Sequence, residues 1–284
     1  MQPRTDLAME AKALYERSAQ EQTQLSGVAA REQERHGVRM TVVKITSAEG
    51  EQALGKPRGT YITAELEALT RREPGSFSNA ARTVGRALRE LLGPCRQALV
   101  VGLGNRDITP DAIGPEAVKN LIVTRHLQAG PDEALPGLMR VAACQPGVLG
   151  QTGIESLELV KCAMQTAQPD VVIVIDALAA AEPERLCTTV QLTDAGLAPG
   201  SGLGNHRAAF CKESLGRPVL AVGAPTLMRA ECLAGRELPG LSGLIVTPRD
   251  IDLRVREIAR AVGYGLSLAL HPGLTVSDVA GFLA

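Results

Sequence analysis

Acidic side chains that follow apolar, β-branched runs are where this sequence concentrates groups able to move protons. Such runs stand at 98–103 (ALVVGL), 138–144 (LMRVAAC), 171–175 (VVIVI) and 218–222 (PVLAV). If they are strands of a parallel sheet, the loops leaving their carboxyl ends gather at one edge. Asp111 lies in the loop after the first run, in the turn entering a helix, and Asp176 sits at the tip of the third. Two carboxylates in one crevice do not readily ionise together, because like charges push one pKa up and leave a general acid beside a general base. With a water between them, that pair suffices to hydrolyse an unactivated amide, provided the oxyanion is stabilised. The backbone N–H groups of Gly104 and Asn105, or the Asn105 side chain, are candidates for that role. Each aspartate also has a plain structural reading: Asp111 as an Asx-turn or cap residue before the helix that Pro115 starts, Asp176 as an ordinary strand-end acid.

Other chemistries find less support. His206 lies in the Gly-rich loop 193–208 (TDAGLAPGSGLGNHRA), too long for a plain connection, and is a possible ligand or substrate contact. His126 and His271 fall near helix ends, where the carbonyl end attracts them, and His36 belongs to a turn. Gly102-Leu103-Gly104 starts like a dinucleotide fingerprint, but Asp107 stands where its third glycine would be. There is no Walker loop, HExxH or GxSxG. The cysteines at 95, 144, 162, 187, 211 and 232 form no CxxC and no zinc spacing, so they read as reduced and mostly buried. No metal and no cofactor are expected.

The elements that must position these residues follow from composition and pattern. A chain of 284 residues makes one large or two small domains. At 45% hydrophobic and 21% charged it is neither disordered nor a coiled coil. Thirty basic against 31 acidic residues leave a charge of -1, which argues against a general grip on nucleic acid or on a membrane surface. With no Trp, three Tyr and three Phe, the core must be aliphatic, which suits a sheet packed on helices. The N-terminus has no signal-peptide stretch and no window is apolar enough to span a bilayer, so the expected location is cytoplasmic. A helix is predicted from Ala8 to about Leu25, then a hairpin of GVAAREQER and VRMTVVKIT about His36-Gly37. Thr46-x-x-Glu49 reads as a capping box, 60–66 as a strand, and SFSNAARTVGRALRELLG as an amphipathic helix. Helical stretches at 115–128 and 153–167 separate the apolar runs, and a last helix after Thr247-Pro248 closes the chain near His271-Pro272-Gly273. The fold class is therefore α/β, a largely parallel central sheet flanked by helices, with an N-terminal hairpin extension.

RTDLAMEA (4–11), VVGLGN (100–105), TPDAIGP (109–115), TRHL (124–127), PGVLGQTGIE (146–155), IDALAA (175–180) and PGSGLGN (199–205) occur in that order. Together they resemble the germination protease family of spore-forming bacteria, from Arg4 to about Thr226 and again in the final helix. The resemblance implies an endopeptidase that degrades small acid-soluble spore proteins in the spore core during germination. It also implies a homotetramer, a self-processing zymogen, a fold like that of hydrogenase-maturation peptidases, and an atypical aspartic peptidase mechanism. The family's two proposed acids fall on Asp111 and Asp176. Its self-cleavage point falls between Asp6 and Leu7, which divides the chain into a leader, 1–6, and a single peptidase domain, 7–284, with 7–70 as an extension packed on it. Cutting after an acid and before a bulky apolar residue implies a pocket with a basic or hydrogen-bond-donor group. Two departures stand out: the leader MQPRTD is short, and the stretch 226–246 lacks an insertion of longer members. Two alternatives stay open, a metal-dependent relative holding an ion with Asp111, Asp176 and His206, and a non-catalytic module whose Gly-rich loops bind a peptide or small ligand.

Overall fold

The apolar runs pair into one nine-stranded sheet in the computed structural model, which describes residues 5–18, 25–128, 138–204, 207–234, 240–241 and 243–284. In chain order the strands are β1 (Val28–Arg35), β2 (Val38–Ile45), β3 (Gly59–Glu65), β4 (Gln97–Gly102), β5 (Arg140–Cys144), β6 (Val171–Ala180), β7 (Thr189–Thr193), β8 (Val219–Arg229) and β9 (Ile245–Val246). They lie side by side as β1-β2-β3-β7-β8-β6-β4-β5, with β9 against β8. The N-terminal helices are α1 (Ala8–Ser18), α2 (Ala48–Leu54), α3 (Glu67–Thr70) and α4 (Ser76–Leu91). The rest are α5 (Ile113–Lys119), α6 (Leu149–Thr152), α7 (Ser156–Ala167), α8 (Lys212–Leu215), α9 (Ala230–Ala234), α10 (Ile251–Leu270) and α11 (Val276–Phe282).

The strands β5, β4, β6 and β8 run parallel, as helical crossovers between apolar runs require. The hairpin β1–β2, with β3 and β7, adds an antiparallel half that β7 joins to β8. Both faces of the parallel half are covered, so nine of the ten β6 residues and ten of the eleven β8 residues are buried. One face packs Ile173, Ile175 and Val222 against α4, α5 and α10 through Val84, Ile113 and Val262. The other packs Val172 and Val174 against Val160 of α7 and Phe210. No helix among the described residues is long and apolar enough to cross a membrane.

Several boundaries differ from the sequence expectation, each for a local reason. The β6 and β8 strands continue past the apolar runs to Ala180 and Arg229, so Asp176 is not at a strand tip. It is instead the first β6 residue beyond the end of β4, whose Gly102 pairs with Ile175. The helical stretch from 115 stops at Lys119, and only a 3-10 turn, Arg125–Gln128, follows. Ser47, not Thr46, caps α2 by accepting the Gly50 N–H, because the Thr46 hydroxyl is turned to the Gly27 carbonyl. Thr247 likewise leaves α10 uncapped and donates to the Thr226 carbonyl. All six cysteines are free, but only Cys187 is buried and Cys162 is exposed. His271 is buried, its ring 3.3 Å from the Ile122 carbonyl, and burial holds its pKa down.

What brings α5 to the sheet edge is the absence of side chains. A Cβ on Gly102 would lie 2.5 Å from the Gly114 carbonyl oxygen, and one on Gly114 would lie 2.3 Å from that of Leu103 and 2.6 Å from that of Ile175. Neither neighbour is a flexible side chain that can move aside. Gly114→Ala is therefore expected to force α5 off the β4–β6 edge and cost about 1–3 kcal/mol of stability, the range for overpacking. A lowered urea midpoint at unchanged slope would show this; a wild-type midpoint would contradict it.

Candidate active site

Asp111 and Asp176 line one cavity of about 320 Å³, open at the edge where β4 ends. The chain leaves β4 through Leu103, whose N–H donates to the Ile175 carbonyl at 2.8 Å, and turns at Gly104, φ +108°. Only glycine fits there, since a Cβ would come within 1.9 Å of the Asp111 carbonyl oxygen. A single 3-10 turn, Thr109–Asp111, then carries the acid to the cavity, and the Thr226 hydroxyl of β8 ties that turn down by donating to the Pro110 carbonyl at 2.5 Å. Asp111 does not cap α5; Ala112 occupies the cap position without a side-chain bond. The Asp111 carboxylate instead accepts the Asn105 N–H at 2.6 Å.

Asn105 thus orients Asp111. Its backbone donor is spent on that carboxylate, and its side-chain oxygen accepts from the Asp107 N–H at 3.0 Å and from Gln151 at 2.9 Å. Gln151 explains the place of the PGVLGQTGIE motif: it buttresses the loop that presents Asp111. Gly104 and Asn105 both line the cavity. His206 lies outside the described residues, and among those residues no three His, Cys, Asp or Glu side chains are grouped to hold a metal ion.

The two carboxyls are unequal. Asp176 is 4% exposed. Burial, then the nearby Asp111 charge, push its pKa well above the ordinary aspartate range. Asp111 is raised too, by burial, but the Asn105 N–H and the charge of Arg207 oppose the shift. Burial and the neighbouring charge thus act together on Asp176, whereas Asp111 has two influences opposing its burial. Arg207, an exposed residue on the cavity wall, is a member of the site that sequence reasoning did not single out, although it stands within the flagged Gly-rich loop.

Asp6 lines the same cavity. Its carboxylate accepts the Ala179 N–H at 2.8 Å and the Ser201 hydroxyl at 2.7 Å, and Lys56 stands 3.8 Å away. Leu7 is fully buried. Gln191 of β7 holds the chain on both sides of the Asp6–Leu7 bond, donating to the Asp6 carbonyl at 3.0 Å and accepting the Ala8 N–H at 2.8 Å. Ser201 sits within PGSGLGN; Lys56 and Gln191 carry no motif, and nothing local to them signals a site.

The profile of the germination protease family matches residues 6–238. A germination protease of Caldanaerobacter subterraneus subsp. tengcongensis is 39% identical over 97% of this chain and 96% of its own length. That alignment runs over 317 positions against the 284 residues here, so the relative carries residues this chain lacks. A germination protease of Clostridium perfringens is 35% identical over 99% of this chain and 98% of its own. One of Bacillus cereus is 42% identical over 80% of this chain and 63% of its own. Among solved structures, the [NiFe] hydrogenase maturation protease HycI of Thermococcus kodakarensis KOD1 aligns with 63% of this chain and 98% of its own at TM-score 0.38 and 18% identity.

The raised pKa of Asp176 has a consequence for stability. A carboxyl whose folded pKa lies above its unfolded value contributes fully below the unfolded pKa, and that contribution is lost as pH rises through the folded pKa. Asp176→Asn removes the ionisable group, so its melting temperature should exceed the wild-type value at neutral pH, with the gap closing toward pH 4. A gap that does not change with pH would show that Asp176 ionises freely in the folded protein.

Proposed function

The chain belongs to the germination protease family, and from that premise we propose that it is an endopeptidase cutting small acid-soluble spore proteins by a two-aspartate mechanism. The observation that carries the proposal is the sharing of one cavity by Asp111, Asp176 and the chain's own Asp6. A peptide laid along that wall as residues 5–8 are laid has its backbone held at Ala179 and Gln191, close to the acid pair.

The reaction then proceeds with the protons accounted for. Ionised Asp111 takes a proton from a water whose oxygen attacks the scissile carbonyl carbon. Protonated Asp176 gives its proton to the carbonyl oxygen, so no full oxyanion forms. The tetrahedral diol collapses as the amine leaves with the proton held on Asp111, and a diol hydroxyl returns its proton to Asp176. The pair ends as it began.

The first substrate is the chain itself. Cleavage between Asp6 and Leu7 releases residues 1–6 and converts a zymogen to the mature peptidase. Assembly as a homotetramer and action in the spore core during germination complete the reading, and both follow from the family resemblance.

Incubation with a small acid-soluble spore protein should yield fragments cut after acidic residues. Asp111→Asn and Asp176→Asn should each lower the rate by ~10²–10⁴-fold or more while the fold persists, as judged by circular dichroism. Full activity in either variant removes that aspartate from the chemistry. Self-cleavage should also speed up from neutral toward mildly acidic pH, because the mechanism needs a protonated Asp176, then fall as Asp111 protonates. A rate flat over that interval would contradict the shared-proton mechanism.

A further inference from the structure

We propose that Lys56, Ser201 and the Ala179 N–H form the subsite that recognises an acidic side chain immediately before the cut bond, first that of Asp6 and later that of a protein substrate. The proposal rests on the endopeptidase reading above and adds to it the residues that select the cleavage point.

Asp6 shows what the pocket accepts. Its two carboxylate oxygens are divided between two hydrogen-bond donors, Ala179 on one and Ser201 on the other, with the Lys56 ammonium on the Ser201 side. Charge-assisted contacts of this kind favour a carboxylate over its amide. Glycine shapes the floor, since a Cβ on Gly202 would lie 2.4 Å from the Asp6 carboxylate. The backbone is read as well: the Asp6 N–H donates to the Ala179 carbonyl at 2.9 Å, and Gln191 holds the groups before and after the bond. Gln191 is a positioning residue; Lys56 and Ser201 supply the selectivity.

Lys56 makes the pocket persist after Asp6 has gone. Its side chain is only 14% exposed, in a cavity of about 300 Å³ that Asp6, Gln191 and Ser201 also line. Burial lowers its pKa, and the charges of Asp6 and Glu10 hold it up. The Glu10 carboxylate is engaged elsewhere, by the Ala181 and Glu182 N–H groups and the Thr5 hydroxyl. Departure of the leader therefore takes away the acid paired with Lys56, and a buried cation without its counter-charge is unfavourable until another carboxylate arrives. Cleavage uncovers a site that asks for the same chemistry it has just released.

The test is a cycle in the full chain, following the cut by intact mass. Asp6→Asn should slow self-cleavage roughly 10- to 100-fold when Lys56 is present, the scale of one buried charge-assisted contact. In a Lys56→Met background the same change should have little effect, and Lys56→Arg should retain the preference for the acid. An equal preference for Asp over Asn with and without Lys56 overturns the subsite. Mature wild-type protein should likewise prefer a peptide with Glu before the bond over its Gln twin. If the wild-type chain makes no cut, or cuts unchanged after Asp176→Asn, the endopeptidase reading fails and the subsite with it. A cut that needs Asp176 but ignores Asp6→Asn sinks the subsite alone. Thermal melts in the inactive Asp176→Asn chain guard against misfolding: Asp6→Asn and Lys56→Met should lower the midpoint by less together than the sum of their separate effects, and additive losses count against the pairing.

Discussion

Backbone-to-backbone approach is the constraint on which the candidate site depends. At Gly102, Gly104 and Gly114 the chain passes carbonyl groups so closely that a single added methyl would overlap them. Those contacts let the segment after β4 fold back on β6, so that the turn ending in Asp111 arrives where β4 has stopped and β6 has not. A longer loop carrying the same aspartate on ordinary residues would have space for it but nothing to fix its distance from Asp176. The glycines of VVGLGN and TPDAIGP are in that sense as much a part of the acid pair as the carboxyls are.

Placing the pair so tightly has an electrostatic cost, and the fold meets it unevenly. Asp176 sits on a strand buried on both faces, where burial and the neighbouring negative charge act in the same direction. Asp111, half-buried on a turn, has the Asn105 N–H and the Arg207 charge to set against its burial. Two identical side chains thus meet different surroundings through the elements that carry them, a strand interior for Asp176 and a loop that offers the Asn105 N–H for Asp111. Asp6 adds another negative charge that raises Asp176 further. The segment before Leu7 thereby strengthens the asymmetry between the two carboxyls.

What the sequence revealed and what it hid divide along a physical line. Both aspartates were legible because each follows an apolar run whose β-branched residues announce a strand, Asp176 directly and Asp111 in the loop beyond, and the topology sends those ends to one edge. The hairpin about His36-Gly37 was legible for a similar reason, as two short runs joined by a turn pair. The β7 strand escaped notice because TVQLT has no apolar run of its own and owes its burial to the core it shares with α4, through Val190 and Leu192, and to residues 6–8 over Gln191. Lys56 and Gln191 were hidden altogether: each is an ordinary residue locally and acquires meaning only from Asp6, far away along the chain. Asn105 was noticed for its donor, but its actual use, orienting Asp111, depends on a backbone turn that spacing alone does not reveal.

Sheet register ties these hidden residues to the visible ones. Gln191 pairs with Gly223, and Gly223 pairs with Asp176, so one row across β7, β8 and β6 carries the side chain that holds the Asp6–Ala8 backbone and the more buried carboxyl of the pair. Residues aligned in such a row point to the same face of a sheet, with strands about 4.8 Å apart. The middle position of the row is glycine, over which the Leu178 side chain lies, so close that a Cβ on Gly223 would come within 2.5 Å of it. The backbone positions of Gln191 and Asp176 are set by the hydrogen-bonded register of β7, β8 and β6, and their side chains reach out from it. That arrangement also explains why the antiparallel half belongs in this molecule. Without β3 and β7 the parallel sheet would end at β8, and no Gln191 would hold the backbone on both sides of the Asp6–Leu7 bond.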